Sequence, residues 1–250
     1  MSNFLNDFHC VGHRGFRGLY PENTMLAFKK AADVGATMVE LDVQLTKDDV
    51  VVVVHDISME RLSGDPRHVT DMTWKELSSQ TITGEMGEIV QKGKSCTLED
   101  LFKTLKKRVH YYVELKTSEQ QPVEYKRLLC EKVLALVKKY GLLDSVMFAS
   151  FEMQSVEEMR KISQGVPVGL NVRGVLPSEV TLTALEKMGA AICPDQNLLD
   201  EKVIRAYKER GFRLMPWGVN EVDRMKQLMQ WGIDAITTDY PNRLCELLKK

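Results

Sequence analysis

Only "QLTKDD" separates the β-branched runs "MVELDV" and "VVVVVHD", and this spacing constrains the fold more than any other feature of the chain. A parallel crossover between strands needs roughly a dozen residues or more, so these two runs must form a hairpin. Elsewhere short apolar runs alternate with longer helical patterns: "GLNV" precedes "SEVTLTALEKMG", "AAICPD" precedes "DEKVIRAYKERG", and "FRLMPWGV" precedes "EVDRMKQLMQWG". Such alternation predicts parallel strands with helical crossovers. The candidate strands are Cys10–His13, Met38–Val43, Val50–Val54, Tyr111–Lys116, Val146–Ser150, Val168–Val172, Ala191–Cys193, Arg213–Trp217 and Ala235–Thr238. Taking Val50–Val54 out of the ring as the second arm of the hairpin leaves the eight strands of an α/β (β/α)8 TIM barrel. An open doubly wound sheet is the alternative, and the sequence has no GxGxxG turn to support it.

One connection breaks the rhythm. Ile57 to His110 is far longer than the others and rich in turn residues, and residues 57–96 are expected to form an insertion over the barrel mouth. "TLEDLFKTLKK", Thr97–Lys107, reads as the helix returning to the ring, with Thr97 as its cap. Met72 and Trp74 in the insertion are read either as an apolar lid or as packing of the insertion onto the barrel. With no internal repeat or low-complexity tract, residues 1–250 are expected to form one domain.

Charge narrows the partners. Lys and Arg number 34 against 35 Asp and Glu, for a net charge of -1, which gives no global attraction to nucleic acid or to an anionic membrane. Any anion site must be local. The five cysteines, Cys10, Cys96, Cys130, Cys193 and Cys245, are scattered and never form a CxxC pair, which suits a reducing compartment. Met1–Asp7 lacks a signal-peptide pattern and no apolar run approaches the ~18 residues of a membrane span, so a cytoplasmic protein without a transmembrane segment is expected. The sequence leaves the oligomeric state open.

Barrel active sites lie at the C-terminal ends of the strands. There the sequence places His13 and Arg14 after the first strand, Glu40 and Asp42 on the second, Glu114 and Lys116 on the third, and Trp217 on the seventh. Glu40 and Asp42 are two apart, as are Glu114 and Lys116, so each pair shares a strand face. A turn centred on Lys47 and Asp48 would pair residues whose numbers sum to 95, setting Glu40 opposite His55 and bringing the histidine to the carboxylates. Glu40, Asp42 and Glu114 read as oxygen ligands for a hard divalent cation, Mg2+ or Ca2+, with zinc or manganese kept open by the nearby histidines. His13 and His55 are then left for proton transfer, and Arg14 and Lys116 suit a phosphate oxyanion. Asn23 and Thr24 read as caps for "MLAFKKAADVG". Glu22 reads either as a partner of Arg14 or as a residue facing the mouth, and His9, His68 and His110 read as structural.

These residues fall in an order that resembles the glycerophosphodiester phosphodiesterase family: His13-Arg14-Gly15, then Pro21-Glu22-Asn23-Thr24, then Glu40 and Asp42, then His55-Asp56, then Glu114 and Lys116. The similarity continues through "FASF", "PWGVN" and "TTDYP". It implies a barrel with an insertion that hydrolyses a small-molecule glycerophosphodiester to sn-glycerol 3-phosphate and an alcohol. The resemblance implies a divalent metal on Glu40, Asp42 and Glu114, acid and base roles for His13 and His55, and phosphoryl contacts from Arg14 and Lys116. Trp217 would line the glycerol or leaving-group pocket, although by its own pattern it is equally a core residue. Gly218 stands where a Thr is common, and "RLS" at Arg61–Ser63 replaces a usual Arg-Thr-Thr, which touches substrate detail and not the reaction. A lysophospholipase D or sphingomyelinase D type enzyme is the alternative, with a silent phosphodiester-binding protein behind it. A serine hydrolase is excluded by the lack of a GxSxG elbow.

Overall fold

The computed structural model describes residues 4–86 and 89–249. In chain order its strands are β1 (His9–Gly12), β2 (Met38–Leu45), β3 (Val51–Val53), β4 (Ser58–Met59), β5 (Asp65–His68), β6 (Ile82–Met86), β7 (Ile89–Gly93), β8 (Cys96–Thr97), β9 (His110–Leu115), β10 (Val146–Ser150), β11 (Val168–Val172), β12 (Ala191–Pro194) and β13 (Ala235–Thr238). The α-helices are α1 (Met25–Asp33), α2 (Glu60–Ser63), α3 (Trp74–Ser79), α4 (Leu98–Leu105), α5 (Val123–Lys139), α6 (Met153–Ile162), α7 (Glu179–Met188), α8 (Glu201–Glu209), α9 (Val222–Gln230) and α10 (Pro241–Leu248).

Parallel pairing runs β12-β11-β10-β9-β2-β1-β13. The expected strand Arg213–Trp217 forms no continuous ladder. Instead Leu214 bridges to Ile192, while Trp217 bridges to both Asp195 and Thr237. Met215 and Trp217 donate to Ile192 and Pro194 on one side, and Pro216 accepts from Thr237 on the other, where it has no N–H to donate. This segment, seventh in chain order, closes the ring of eight between β12 and β13.

The hairpin forms with a register different from the one the turn spacing predicts. Val43 faces Val53, Gln44 faces Val52 and Leu45 faces Val51, so paired numbers sum to 96 (43 + 53) and not 95. The cause lies in the turn, where Thr46 N–H donates to Val50 O and Asp49 takes the left-handed region at φ 59. A one-residue slip should turn His55 away from the carboxylates. It does not, because β3 stops at Val53 and the chain bends. Gln44 Nε2 donates to the carbonyls of Val54 (3.0 Å) and Asp56 (2.8 Å), which fixes that bend and returns His55 to the site.

Helix starts follow the sequence. Thr24 caps α1 by accepting from Ala27 N, Thr97 caps α4 by accepting from Asp100 N, and Ser178 and Asp200 cap α7 and α8. Strand alternation then sorts the core into layers. Val39, Leu41 and Val43 of β2 face outward to Phe28, Phe102 and Val133 beneath the helices, whereas Met38 points inward with Val11, Met147, Ala191 and Met215. Further along β2 the same inward face carries Glu40 and Asp42, so the barrel changes from apolar to charged along a single strand. At the apolar end Phe4 stacks on His110 (4.5 Å between ring centroids), and its carbonyl lies 2.8 Å from His9 Nε2.

Between β3 and β9 the chain forms small paired elements: β4 with β5, and β6 with β7. Met72 is fully buried with Val52, Val54, Met59, Leu62 and Leu77, and Trp74 packs against them, so these two side chains pack this segment onto the hairpin. The expected insertion includes residues 87 and 88, and the expected single domain starts at residues 1–3 and ends at 250. Those positions lie outside the described residues.

Gly15 sits at the turn after β1 with φ 83, and a Cβ there would lie 2.6 Å from the backbone carbon of Ala27. Gly64 shares the conformation at φ 80 but has open space around it. Gly15→Ala is expected to lose roughly 2–5 kcal/mol, combining left-handed strain with a backbone clash, and Gly64→Ala about 1–2 kcal/mol. Urea unfolding of the two variants checks the difference.

Candidate active site

Three carboxylates meet at the charged end of the barrel. Ligand oxygens of Glu40, Asp42 and Glu114 all lie within 4.8 Å of one another, and all three residues are buried. They come together because β2 and β9 pair in a register that sets Asp42 beside Glu114. Like charges so close in a low-dielectric interior need compensation. Burial and the charges of Asp42 and Glu114 push the Glu40 carboxyl well above its ordinary pKa. Glu114 is pushed up as well, by burial and then by Asp42. Burial also works against ionised Asp42, but Arg14, Lys116, His55 and an Asn23 hydrogen bond outweigh it and hold that carboxyl far below its ordinary value.

The cations arrive from two directions. Arg14 follows β1 in the left-handed region at φ 49, a conformation that aims its backbone N–H at Glu40 Oε2 (2.8 Å) and brings its Nε to 3.4 Å from Asp42. Lys116 Nζ donates to Glu114 Oε1 (2.6 Å) and stands 3.6 Å from Asp42 Oδ1. For both cations burial lowers the pKa, and the surrounding carboxylates more than reverse it. Asn23 contributes more than a cap position: its Nδ2 donates to Asp42 Oδ2 (2.8 Å), while Thr24 alone caps α1. Even so, Asp42 Oδ1 is buried without a hydrogen bond. An oxygen donor left without a hydrogen-bonding partner among three converging carboxylates fits a hard divalent cation.

His13 and His55 flank this cluster. His13 Nε2 lies 4.0 Å from Glu40 Oε2, and its Nδ1 lies 2.6 Å from Asp239 Oδ1. His55 Nδ1 lies 2.6 Å from Asp56 Oδ1. Burial lowers the His13 pKa, against the opposing effect of the hydrogen bond that Asp239 accepts from it. Both histidines line one cavity of ≈ 870 Å³ together with Arg14, Glu40, Glu114, Lys116 and Trp217. Asp42 sits just behind its wall.

Trp217 lies at the mouth, where its Nε1 donates to Cys193 O (2.9 Å) and its ring meets Phe151 edge-on at 5.8 Å. Glu22 takes the first of its two expected roles, pairing with Arg14, and joins a second arginine as well: Arg14 donates to it at 2.8 Å and Arg61 at 2.7 Å. Arg61 also donates to Asp56 Oδ2 (2.6 Å), so the segment after β3 is tied to His55. His68 is among the residues lining the cavity, whereas His9 and His110 lie at the opposite end with Phe4.

Sequence reading also missed Asn171, which donates to Glu114 Oε2 (3.0 Å) and accepts from the Tyr112 hydroxyl. These two residues occupy inward positions of β11 and β9, a placement legible from alternation once the strands are assigned. Asp239, one residue past the end of β13, follows the inward parity of Ala235 and Thr237 and falls in "TTDYP", but the sequence reading does not single it out as a site residue.

A rim that joins oxygen ligands, paired imidazoles and fixed cations on a closed β/α barrel defines a barrel-fold phosphodiester hydrolase. Residues 13–243 match the glycerophosphoryl diester phosphodiesterase family, and the chain belongs to it. It is 30% identical over 241 residues to a glycerophosphodiester phosphodiesterase from Caldanaerobacter subterraneus subsp. tengcongensis, covering 96% of this chain and 97% of that one. A human lysophospholipase D is 26% identical over 277 residues, covering 95% of this chain and 85% of the relative. Among solved structures, an Oleispira antarctica phosphodiesterase in complex with its product sn-glycerol-3-phosphate superposes with a TM-score of 0.89 at 22% identity, covering 100% of both chains.

Glu40→Gln keeps an acceptor for the Arg14 N–H and removes one of the crowded charges. Since the folded-state pKa of Glu40 is raised, its ionisation disfavours folding increasingly as pH climbs from the unfolded value of about 4.3 through the folded one. In chelator, Glu40→Gln is therefore expected to melt above the wild type at pH 8, with the advantage lost toward pH 4. With Mg2+ or Ca2+ added, the wild type should gain melting temperature and the variant should gain little. Paired thermal melts check both signs.

Proposed function

We propose that this chain hydrolyses glycerophosphodiesters to sn-glycerol 3-phosphate and an alcohol, with Glu40, Asp42 and Glu114 holding Mg2+ or Ca2+. The observation that carries the reading is the single cavity onto which both histidines open beside the carboxylates and the two cations. When bound, the cation would polarise a phosphoryl oxygen and neutralise the carboxylates around it. Arg14 and Lys116, kept protonated by their carboxylate neighbours, take the remaining phosphoryl charge. Each histidine has its Nδ1 engaged by an aspartate, which leaves Nε2 to exchange protons with substrate. One imidazole takes a proton from the attacking oxygen, either water or the substrate's own 2-hydroxyl, and the other gives a proton to the departing alkoxide.

Trp217 and Phe151 supply apolar surface at the mouth for the glycerol or the leaving group. We read residues 57–96 as an insertion over that mouth, coupled to the site through Arg61. The Oleispira antarctica relative binds the product proposed for this chain. A reducing, cytoplasmic setting suits the five cysteines, all of them buried free thiols. Among the described residues no helix is long and apolar enough to cross a membrane.

A second reading, lysophospholipase D activity, is favoured by the exposed apolar side chains Ile57 and Phe151 on the cavity lining and by the human relative of that name. Release of glycerol 3-phosphate from glycerophosphocholine and glycerophosphoethanolamine, with Mg2+, with Ca2+ and after chelation, tests the first reading. Metal-dependent release from both substrates is expected, and turnover of lysophosphatidylcholine alone would overturn it in favour of the second. His13→Ala and His55→Ala are each expected to lower kcat by ~10² to 10⁴ with the fold retained by circular dichroism. An active, folded variant at either position would remove that residue from proton transfer.

A further inference from the structure

The imidazole of His13 depends on a group from the far end of the chain. Asp239 Oδ1 lies 2.6 Å from His13 Nδ1 across a sequence separation of 226 residues. Asp239 is itself held: its Oδ2 accepts from Asn220 Nδ2 (2.9 Å), and its backbone N–H donates to Asn220 Oδ1 (2.9 Å). Asn220 is fixed in turn, since its Oδ1 also accepts from Thr238 Oγ1 (3.1 Å) and its carbonyl accepts from Arg243 (3.0 Å). Arg17 Nε stands 3.4 Å from Asp239 Oδ1 as a further cation on the same carboxylate. Asp239 titrates at about 2, burial being overcome by the hydrogen bond with His13, so near neutrality it only accepts.

We propose that Asp239, locked by Asn220, is the positioning residue of His13: it holds the proton on Nδ1 and so presents an unprotonated Nε2 to the cavity. The inference rests on the proton-transfer reading of His13 and adds to it the residue that selects the tautomer. A neutral imidazole has one donor and one acceptor nitrogen, and the hydrogen bond at one nitrogen decides the state of the other. Without the carboxylate the proton is free to move to Nε2, where the ring can no longer accept one from substrate. The ring also loses the contact that fixes its plane beside Glu40. The arrangement repeats, with different backing, in the pair His55 and Asp56, where Arg61 takes the place of Asn220 behind the aspartate.

The test uses the full-length, Mg2+-loaded protein with nitrogen-15-labelled histidine. In the wild type, the His13 ring nitrogens at a pH above the ring's pKa should report an Nδ1–H tautomer, an outcome that needs no substitution. Asp239→Asn is expected to shift the signature toward Nε2–H and to lower kcat for glycerophosphocholine by ~10² to 10⁴, with KM within about threefold of wild type. Asn220→Ala should lower kcat in the same direction by a smaller factor. The double variant of His13→Ala with Asp239→Asn should be no slower than His13→Ala alone, because the aspartate acts only through the ring. An Nε2–H tautomer in the wild type, wild-type kcat in Asp239→Asn, or fully additive losses in the double variant would each overturn the positioning role. A fully active His13→Ala protein would instead overturn the proton-transfer reading beneath it.

Discussion

Three buried carboxylates within 4.8 Å of one another cannot all be charged inside a barrel unless positive groups are brought to them, and much of the local structure supplies those groups. Arg14 reaches them only because the chain leaves β1 through a left-handed turn, which in turn requires Gly15 where α1 passes close behind. Lys116 reaches them because it lies two residues beyond Glu114, just past the end of β9, and turns back onto its neighbour. Asn23, whose backbone N–H donates to the Arg14 carbonyl, adds an amide donor from the same connection. Even with these partners the balance is incomplete: Glu40 and Glu114 resist ionisation while Asp42 accepts it readily. The cluster is thus strained toward positive charge, a state suited to taking up a divalent ion.

From this centre the compensation spreads outward in layers of alternating sign. Arg14 needs Glu22, Glu22 is shared with Arg61, Arg61 is shared with Asp56, and Asp56 ends on His55. One chain of contacts therefore runs from the first barrel turn, through the short helix α2, back to the hairpin. The segment after β3 is joined to the site by charge as well as by the apolar packing of Met59, Leu62 and Met72.

The eight-position ring, the hairpin and the carboxylate cluster were legible in the sequence, because each follows from spacing and alternation along a strand. What escaped the reading depended on local exceptions to that regularity. The hairpin register was off by one, since the geometry of a tight turn lies in a single left-handed residue, Asp49, and not in the apolar pattern. His55 still reached the site, through a clamp by Gln44 that alternation cannot foresee. Arg213–Trp217 looked like an ordinary strand but forms isolated bridges, with Pro216 having no N–H to donate on the Thr237 side. Asn23 read as a cap by residue type, and only the fold shows Asp42 within its reach. Asp239 and Asn220 were invisible as a pair with His13 because nothing local links residues more than two hundred positions apart.

That separation has a consequence for a chain made from one end to the other. His55 has its aspartate from the moment the next residue is added. His13 is made long before β13, the last strand of the ring in chain order, and must wait for that strand to dock beside β1. A product truncated before Asp239 contains every residue of the hairpin and of the carboxylate cluster, yet it lacks the partner of the second imidazole. Ring closure and the completion of the site are in this sense one event, and a barrel interrupted late in synthesis leaves that imidazole without its aspartate.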